Sequence, residues 1–241
     1  MQLKIHIRNT QKLIFPLNYN YQLMSAVYKL ISSDIGFCEF LHNEGWKSGG
    51  AVFKLFCLSP LTGHYQIENK KIIFDSDISF KIRSPSDMFI NAVKQELFSN
   101  GKIKLFNYDL DVRMIECYDR QFSAYEYLVK TVSPICVRLT QDNGKTLYLS
   151  PEDIAFDELI NTNLYRKFTA AYGIEPPSTV DLMLLKPSKK VVTKIKDIWV
   201  TAYNGSFKMN ADPAVAKFLY DVGLGSRNSQ GFGMFEIKNE Y

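Results

Sequence analysis

No apolar run in this chain reaches the roughly 18 residues that a bilayer-spanning helix needs. The N-terminus enters directly on Leu3-Lys4-Ile5-His6-Ile7-Arg8, an alternation that reads as a strand and not as the apolar core of a signal peptide. No membrane partner is expected. Cysteine is sparse: Cys38, Cys57, Cys117 and Cys136 form no C-x-x-C pair, and three of them sit in apolar, strand-like runs. They read as buried free thiols suited to a reducing cytoplasm, and neither a disulfide framework nor a zinc site is expected. Histidine occurs only as His6, His42 and His64, no H-E-x-x-H is present, and the carboxylates form no tight ligand cluster. No metal and no other cofactor is expected.

What is present suits a folded chain. It has 241 residues, 46% of them hydrophobic, and a net charge of +4. That length allows one large domain or two small ones, each with its own core. The mild basicity is compatible with an anionic partner without requiring one.

The order of elements is informative. Residues 2–8 alternate as a strand, and after Pro16 the positions Leu23, Val27, Leu30 and Ile31 fall at helical spacing within 20–33. A short helical piece is expected over 35–42, a strand over 52–59, two or three short strands within 64–83, a helix capped by Ser86-Asp87 to about Phe98, and a strand over 102–116. The pattern then recurs. Residues 134–139 and 145–149 are strand-like, Ser150-Pro151-Glu152 opens a helix to about Tyr172, 179–186 and 190–209 are strands, Asp212-Pro213 opens a helix to Asp221, and 231–237 is the last strand. Within 190–209, Asn204-Gly205 reads as a bulge in one long strand rather than as a hairpin turn. The expected fold is α+β: two tandem ferredoxin-like (βαββαβ) domains, 1–117 and 118–241, joined near 117–132.

The densest motif is Gly223-Leu224-Gly225-Ser226-Arg227-Asn228-Ser229-Gln230-Gly231-Phe232-Gly233. It is not a dinucleotide fingerprint, because Asn228 stands where the third glycine belongs and a helix precedes it. It is not a Walker loop, because Phe232 stands where the lysine belongs. Glycines let backbone amides approach a phosphate, and Arg227, Asn228, Ser229 and Gln230 add donors, so an anion site is one reading. A tight helix-to-strand connection whose glycines only satisfy positive φ is the other. Lys186, Lys189, Lys190, Lys194 and Lys196 form the densest basic run. By itself that is a solvated hairpin; beside an anion loop it suggests phosphate contact.

A loop of this form before a final strand resembles the hallmark of the repeat-associated RNA-binding superfamily of CRISPR systems. Three further segments narrow the resemblance: Pro16-Leu17-Asn18-Tyr19-Asn20 before a helix carrying Ala26-Val27-Tyr28, then Phe40-Leu41-His42-Asn43, then Phe53-Lys54-Leu55-Phe56. Ala171-Tyr172-Gly173 followed by Pro176-Pro177-Ser178 is also similar. Together they resemble the CRISPR-associated endoribonuclease that cuts precursor CRISPR RNA within each repeat. The resemblance implies metal-independent attack of the RNA 2′-OH on the adjacent phosphate, leaving 2′,3′-cyclic phosphate and 5′-OH ends. It assigns catalytic roles to Tyr28, His42 and Lys54; Lys47, nearer in sequence to His42, is the alternative lysine. The chemistry of the side chains fits: imidazole titrates near neutrality, an unperturbed phenol at about 10 is a poor base, and a lysine offsets phosphorane charge. RNA contacts are expected from Gly223, Gly225, Arg227, Asn228, Ser229, Gly231, Gly233, Lys190 and Lys194. The partner implied is CRISPR repeat RNA, with interference-complex subunits and a second copy of the chain as further partners. Two other readings stand beside this one: a non-catalytic CRISPR RNA-binding subunit, and a ferredoxin-like domain that binds a small phosphorylated ligand.

Overall fold

A computed structural model describes residues 1–32 and 34–240, with His42 described by its backbone alone. The first half runs β1 (Gln2–Ile7), β2 (Leu13–Pro16), α1 (Asn20–Lys29), α2 (Ile35–Glu39), a π-helical turn (Phe40–Glu44), β3 (Trp46–Ser48), β4 (Ala51–Phe53), β5 (Cys57–Leu58), β6 (Tyr65–Glu68), β7 (Lys71–Phe74), β8 (Ile78–Arg83), α3 (Asp87–Asn100), β9 (Lys102–Leu105) and β10 (Tyr108–Tyr118). The second runs β11 (Glu126–Thr131), β12 (Val137–Thr140), β13 (Thr146–Leu149), α4 (Phe156–Tyr172), β14 (Asp181–Leu184), β15 (Lys189–Ile195), β16 (Ile198–Asn204), β17 (Ser206–Asn210), α5 (Pro213–Val222) and β18 (Phe235–Glu240).

Two antiparallel sheets carry the fold, with strand orders β5-β8-β1-β10-β9 and β14-β17-β11-β18. Leaving aside β9, each has the same order: second, third, first, fourth strand of a βαββαβ unit. The helices fall where that unit needs them, α1 and α3 in the first half, α4 and α5 in the second. The α+β fold is therefore two ferredoxin-like units in tandem.

Local chemistry explains the helix ends. The Ser86 side chain accepts from the Phe89 amide and caps α3, while Asp212 accepts from Ala214 and caps α5 just before Pro213. α3 and α4 each end on a left-handed glycine, Gly101 and Gly173. The expected apolar face of the first helix is buried: Leu23, Val27, Leu30 and Ile31 all lie in the first core.

Several expectations are corrected. The strand expected over 52–59 breaks at 54–56, where Leu55 takes a φ of +43°, leaving β4 and β5 as separate pieces. The strand expected over 102–116 folds back at Phe106, φ +54°, into the β9–β10 hairpin. In the second half, the first strand of the sheet is β11, within the segment expected to be a joint; residues 137–140 and 146–149 pair with each other as a hairpin outside that sheet. Ser150-Pro151-Glu152 forms a turn, and α4 starts at Phe156. The long strand expected over 190–209 is a β15–β16 hairpin turning at Lys196-Asp197, followed after Gly205 by β17, which does not pair with β16. The last strand starts at Phe235, beyond the glycine-rich segment. Cys57 and Cys136 are buried as expected, but Cys117 is exposed and Cys38 is only partly covered. Among the described residues no helix is long and apolar enough to cross a membrane.

Each sheet covers its own core. A buried polar latch joins the two halves. Arg83, at the end of β8 and 0% exposed, donates to the Phe235 carbonyl and the Glu236 carboxylate in β18, both at 2.6 Å, and to Gln2 Oε1 at 2.7 Å. Its guanidinium lies 3.5 Å from the centroid of the Tyr220 ring, and Lys81 adds a 2.6 Å bond to Glu236. Burial alone would raise the Glu236 carboxyl, but Arg83 and Lys81 hold it below the usual range. Removing one partner of a buried pair costs about 3–5 kcal/mol. Arg83→Met should lower stability towards the low end of that range in urea unfolding, since Lys81 still faces Glu236. Because the folded carboxyl titrates below its unfolded value, the stabilisation from Glu236 is full above the unfolded pKa of about 4.3 and is lost as pH falls through the folded value. The difference between wild type and Arg83→Met should therefore shrink in acid.

Candidate active site

The three residues singled out for chemistry lie on three consecutive pieces of the first half. Tyr28 is on the last turn of α1, half-buried, its ring edge-on to Phe56 with centroids 5.8 Å apart. Burial, with a smaller contribution from nearby Cys38, pushes its phenol up to about 12. Such a phenol is a hydrogen-bond donor near neutral pH and a worse base than free tyrosine. His42 lies in the π-helical turn that continues α2; its side chain is outside the described residues. That turn is tightly built. The Gly45 amide returns to the Phe40 carbonyl at 2.6 Å, and Gly45, at φ +61°, faces the Phe53 carbonyl so closely that a Cβ would sit 2.7 Å from it.

Lys54 follows immediately. The break after β4 takes it out of the strand expected over 52–59. Its ammonium donates to the Leu41 carbonyl, the peptide that leads into His42. Burial lowers its pKa. Lys47, the alternative lysine, stands on β3 with its side chain 61% exposed and pairs with Glu44 at 3.8 Å. Of the other histidines, His6 hydrogen-bonds Glu116 at 2.6 Å and His64 bonds Asp75 at 2.8 Å, both in pairs away from this turn.

The glycine-rich segment links α5 to β18, and its glycines answer mainly to the protein itself. All four, Gly223, Gly225, Gly231 and Gly233, have positive φ. A Cβ on Gly233 would sit 2.0 Å from the Leu224 carbonyl oxygen, one on Gly225 2.6 Å from that of Cys136, one on Gly223 2.7 Å from the Asn228 amide, and one on Gly231 2.7 Å from that of Asn20. The amides of Gly223, Gly231 and Gly233 donate to Leu219, Asn228 and Pro134. Asn228 is buried and bonds wholly inward, donating to the Leu224 and Phe232 carbonyls at 2.9 and 3.1 Å. The expectation that these groups approach a ligand meets a structure in which they already have protein partners. Arg227 and Ser229 remain partly accessible, and Arg227, in a left-handed conformation at φ +60°, donates to Gln230 at 2.8 Å.

Beneath the segment lies Lys167, 3% exposed, which donates to the carbonyls of Gly223 and Gly225 and to Asn228 Oδ1 at 2.9, 2.7 and 2.7 Å. Asn20, at the start of α1, donates to the Gln230 carbonyl at 3.1 Å. The segment is thus tied both to α4 and to the helix that carries Tyr28.

Between the halves runs a cleft of about 740 Å³. Lys54 and Phe56 line one wall, Arg138 and the Arg227–Gln230 face another, and Arg166 projects from α4. Its described lining holds five Lys or Arg residues and no carboxylate. Low-dielectric walls with charge of one sign concentrate counter-charged ligands. Lys190 and Lys194 lie outside this cleft, on the β15–β16 hairpin, paired in register with Tyr203 and Trp199. Lys196 at the hairpin tip reaches the Tyr21 ring of α1, 4.6 Å from its centroid.

Arg138, Arg166 and Lys167 were not found by motif, and Asn20, the last residue of the Pro16–Asn20 segment, was given no role there. Lys167 did carry a signal: it occupies the buried stripe Phe156, Ile160, Leu164, Lys167, Phe168, a lysine at a core position of an amphipathic helix.

Comparison with known proteins places this geometry. A family model described as CRISPR associated protein Cas6, C-terminal, matches residues 115–237. The chain is 29% identical over 251 aligned positions to CRISPR-associated endoribonuclease Cas6 1 of Methanocaldococcus jannaschii, covering 100% of this chain and 95% of that one. It is 26% identical over 231 positions to CRISPR-associated endoribonuclease Cas6 of Pyrococcus furiosus, covering 92% and 83%. A solved structure described as CRISPR associated protein Cas6 superposes with a TM-score of 0.80 at 28% identity over 99% of each chain. A Cas6-related protein from Pyrococcus furiosus reaches 0.86 at 23% identity, covering 100% of this chain and 99% of that one, an agreement of fold. The family match takes in just over half of the chain and the whole glycine-rich segment, and the similarity to the relatives runs from end to end: the chain belongs to the Cas6 family of CRISPR-associated proteins.

Proposed function

We propose that this protein is a cytoplasmic endoribonuclease that cuts CRISPR repeat RNA without a metal ion, by attack of a 2′-OH on the adjacent phosphate. The bond from the 2′-oxygen to phosphorus forms, the bond from phosphorus to the 5′-oxygen breaks, and a proton moves from the 2′-OH to the leaving oxygen. The products are a 2′,3′-cyclic phosphate and a 5′-OH. Residues 1–117 carry the chemistry, and 118–241 supply the glycine-rich loop that holds RNA.

The observation that carries this reading is the carboxylate-free cationic cleft that joins Lys54 to the outer face of the glycine-rich loop. A chain of phosphates threaded there meets Arg138, Arg166 and Arg227 and passes the turn that bears His42. In this reading His42 moves the proton, as an imidazole can near neutral pH. Tyr28, held protonated by burial, positions the 2′-OH or a phosphate oxygen as a donor. Lys54, anchored on the peptide before His42, offsets the charge that develops on phosphorus. Of the loop, the faces of Arg227, Ser229 and Gln230 meet RNA, while Asn228 and the four glycines hold the loop in shape. Lys190 and Lys194 reach the RNA beyond the cleft.

The cleft reading has a direct test in salt. Each phosphate contact to single-stranded RNA steepens the dependence of log K on log salt by about 0.7. Replacing Arg138 and Arg166 together with alanine should make the slope shallower by about 1.4 and weaken binding. The single-turnover rate at saturating RNA should change little. An unchanged slope in the folded double variant would move the RNA path out of the cleft.

A further inference from the structure

We infer that Lys167 is a positioning residue of the RNA-holding loop: its buried ammonium fixes the loop, through the carbonyls of Gly223 and Gly225 and the Asn228 side chain, in the form whose outer face meets RNA. This rests on the proposal that the loop holds RNA.

The donor count matches the surroundings. An ammonium has three N–H donors in tetrahedral array. Lys167 directs them at three oxygens that lie on both flanks of one turn of the loop, at 2.7–2.9 Å. A single side chain thereby gathers residues 223, 225 and 228. Asn228, oriented by Lys167 through its oxygen, passes the constraint on through its nitrogen to the carbonyls of Leu224 and Phe232. The loop's two arms close on each other around this pair of side chains.

All three acceptors are neutral. Asp221, the nearby buried acid, is engaged by Lys217 and by the N-terminal amine at 3.0 Å. Cys57, also close, is kept a neutral thiol because burial pushes it up to about 12. The charge on Lys167 is therefore not cancelled by a counter-ion, and it lies in the floor of the cleft. Burial pushes the amine down to about 7, a measure of how unfavourable this place is for a cation. A methionine of similar length would pack there without that penalty, since buried charges are poor stabilisers compared with apolar side chains of like volume. What methionine lacks is the means to hold two inward-turned carbonyls and an asparagine oxygen. Holding them specifies one loop conformation, and the amine in its protonated form adds a positive field beneath the RNA-facing surface.

The test uses the full chain and a repeat RNA in three proteins: wild type, Lys167→Met, and Lys167→Gln, which keeps a polar head if the methionine variant folds poorly. Dissociation constants, single-turnover cleavage rates at saturating RNA, and backbone hydrogen exchange are measured. Lys167→Met should bind RNA at least about tenfold more weakly, the consequence of releasing charge-assisted hydrogen bonds, while the rate at saturation stays within about twofold, as when only ground-state binding is lost. Exchange should accelerate across residues 223–233 and stay unchanged in β11 and β17. Unaltered affinity in a folded variant would overturn the inference. So would a loss of rate at saturation equal to the loss of affinity, which would place Lys167 in the chemical step. Global unfolding of both variants would make Lys167 a fold residue only, and would also overturn it. If wild type itself fails to bind the repeat RNA, the RNA-holding reading of the loop fails instead.

Discussion

His42→Ala is expected to slow cleavage of repeat RNA by about 10²–10⁴-fold, the usual cost of losing a positioned acid or base, while the dissociation constant for the RNA stays nearly unchanged. The backbone around that residue is built to hold it in one place. A π-helical turn is uncommon and tends to occur at functional sites. Here it is closed by Gly45 and braced by the Lys54 ammonium on the Leu41 carbonyl. The peptide that presents His42 is therefore held from both sides. Tyr28 is a poor substitute base, since burial pushes it up to about 12. Lys54→Ala should slow cleavage as well and also weaken binding, because it removes a cation lining the cleft and the brace on the turn together. Single-turnover kinetics with a separate binding assay tells the two variants apart. Full activity in His42→Ala would take the imidazole out of the reaction and leave the burial of Tyr28 as an obstacle to any simple replacement.

Gly233→Ala should be the most damaging single-methyl change in the glycine-rich loop. At φ +75° the residue lies where side chains are strained, and its Cβ would fall 2.0 Å from the Leu224 carbonyl oxygen, a backbone atom that cannot swing away. Left-handed strain costs about 1–2 kcal/mol and overpacking about 1–3 kcal/mol. The sum, roughly 2–5 kcal/mol, is comparable to much of a domain's net stability. The thermal midpoint should fall and RNA affinity with it, because the two arms of the loop can no longer close. Gly144→Ala is the matched control. Gly144 has a similar φ of +78° but nothing within 4 Å of its Cβ position, so only the strain of about 1–2 kcal/mol applies. Equal effects of the two changes on the midpoint would mean that the loop shifts freely to accept a methyl.

Much of the fold was legible in the chain because its punctuation is chemical. Ser86-Asp87, Asp212-Pro213, Gly101 and Gly173 mark helix ends by capping and by left-handed closure, and the two βαββαβ patterns follow from the order of elements between them. What escaped has local reasons. β11 alternates inward at Tyr127 and Val129 but is only six residues long and follows a mixed stretch without turn glycine or proline, so it read as a joint. The breaks at Leu55, Phe106 and Lys196 fall on non-glycine residues at positive φ; at Phe106-Asn107 and Lys196-Asp197 a two-residue hairpin turn requires it, without the Asn-Gly or Asp-Gly pair that usually announces one.

The site divides the same way. Tyr28, His42 and Lys54 came from resemblance, and no periodicity would have selected them from ordinary core and surface positions. The glycine-rich segment stood out, yet its purpose was only half visible: positive φ could be foreseen, whereas the close approach of Cys136 to Gly225 and of Asn20 to Gly231 is made by distant parts of the chain. Arg166 and Lys167 are neighbours in sequence with opposite fates, one facing the cleft and one buried beneath the loop. Only the helical stripe tells them apart.

The ends of the products decide the reaction. Purified protein is incubated with its cognate repeat RNA in excess chelator, and the products are treated with a phosphatase with and without prior acid opening of cyclic phosphates, then resolved at single-nucleotide resolution. Attack by the 2′-OH without a metal gives undiminished cleavage at one position in the repeat, a 5′-OH on the downstream piece, and an upstream end that resists phosphatase until acid opens it. Cleavage abolished by chelator, or an upstream piece ending in a plain 3′-OH, would contradict it and point to water as the nucleophile.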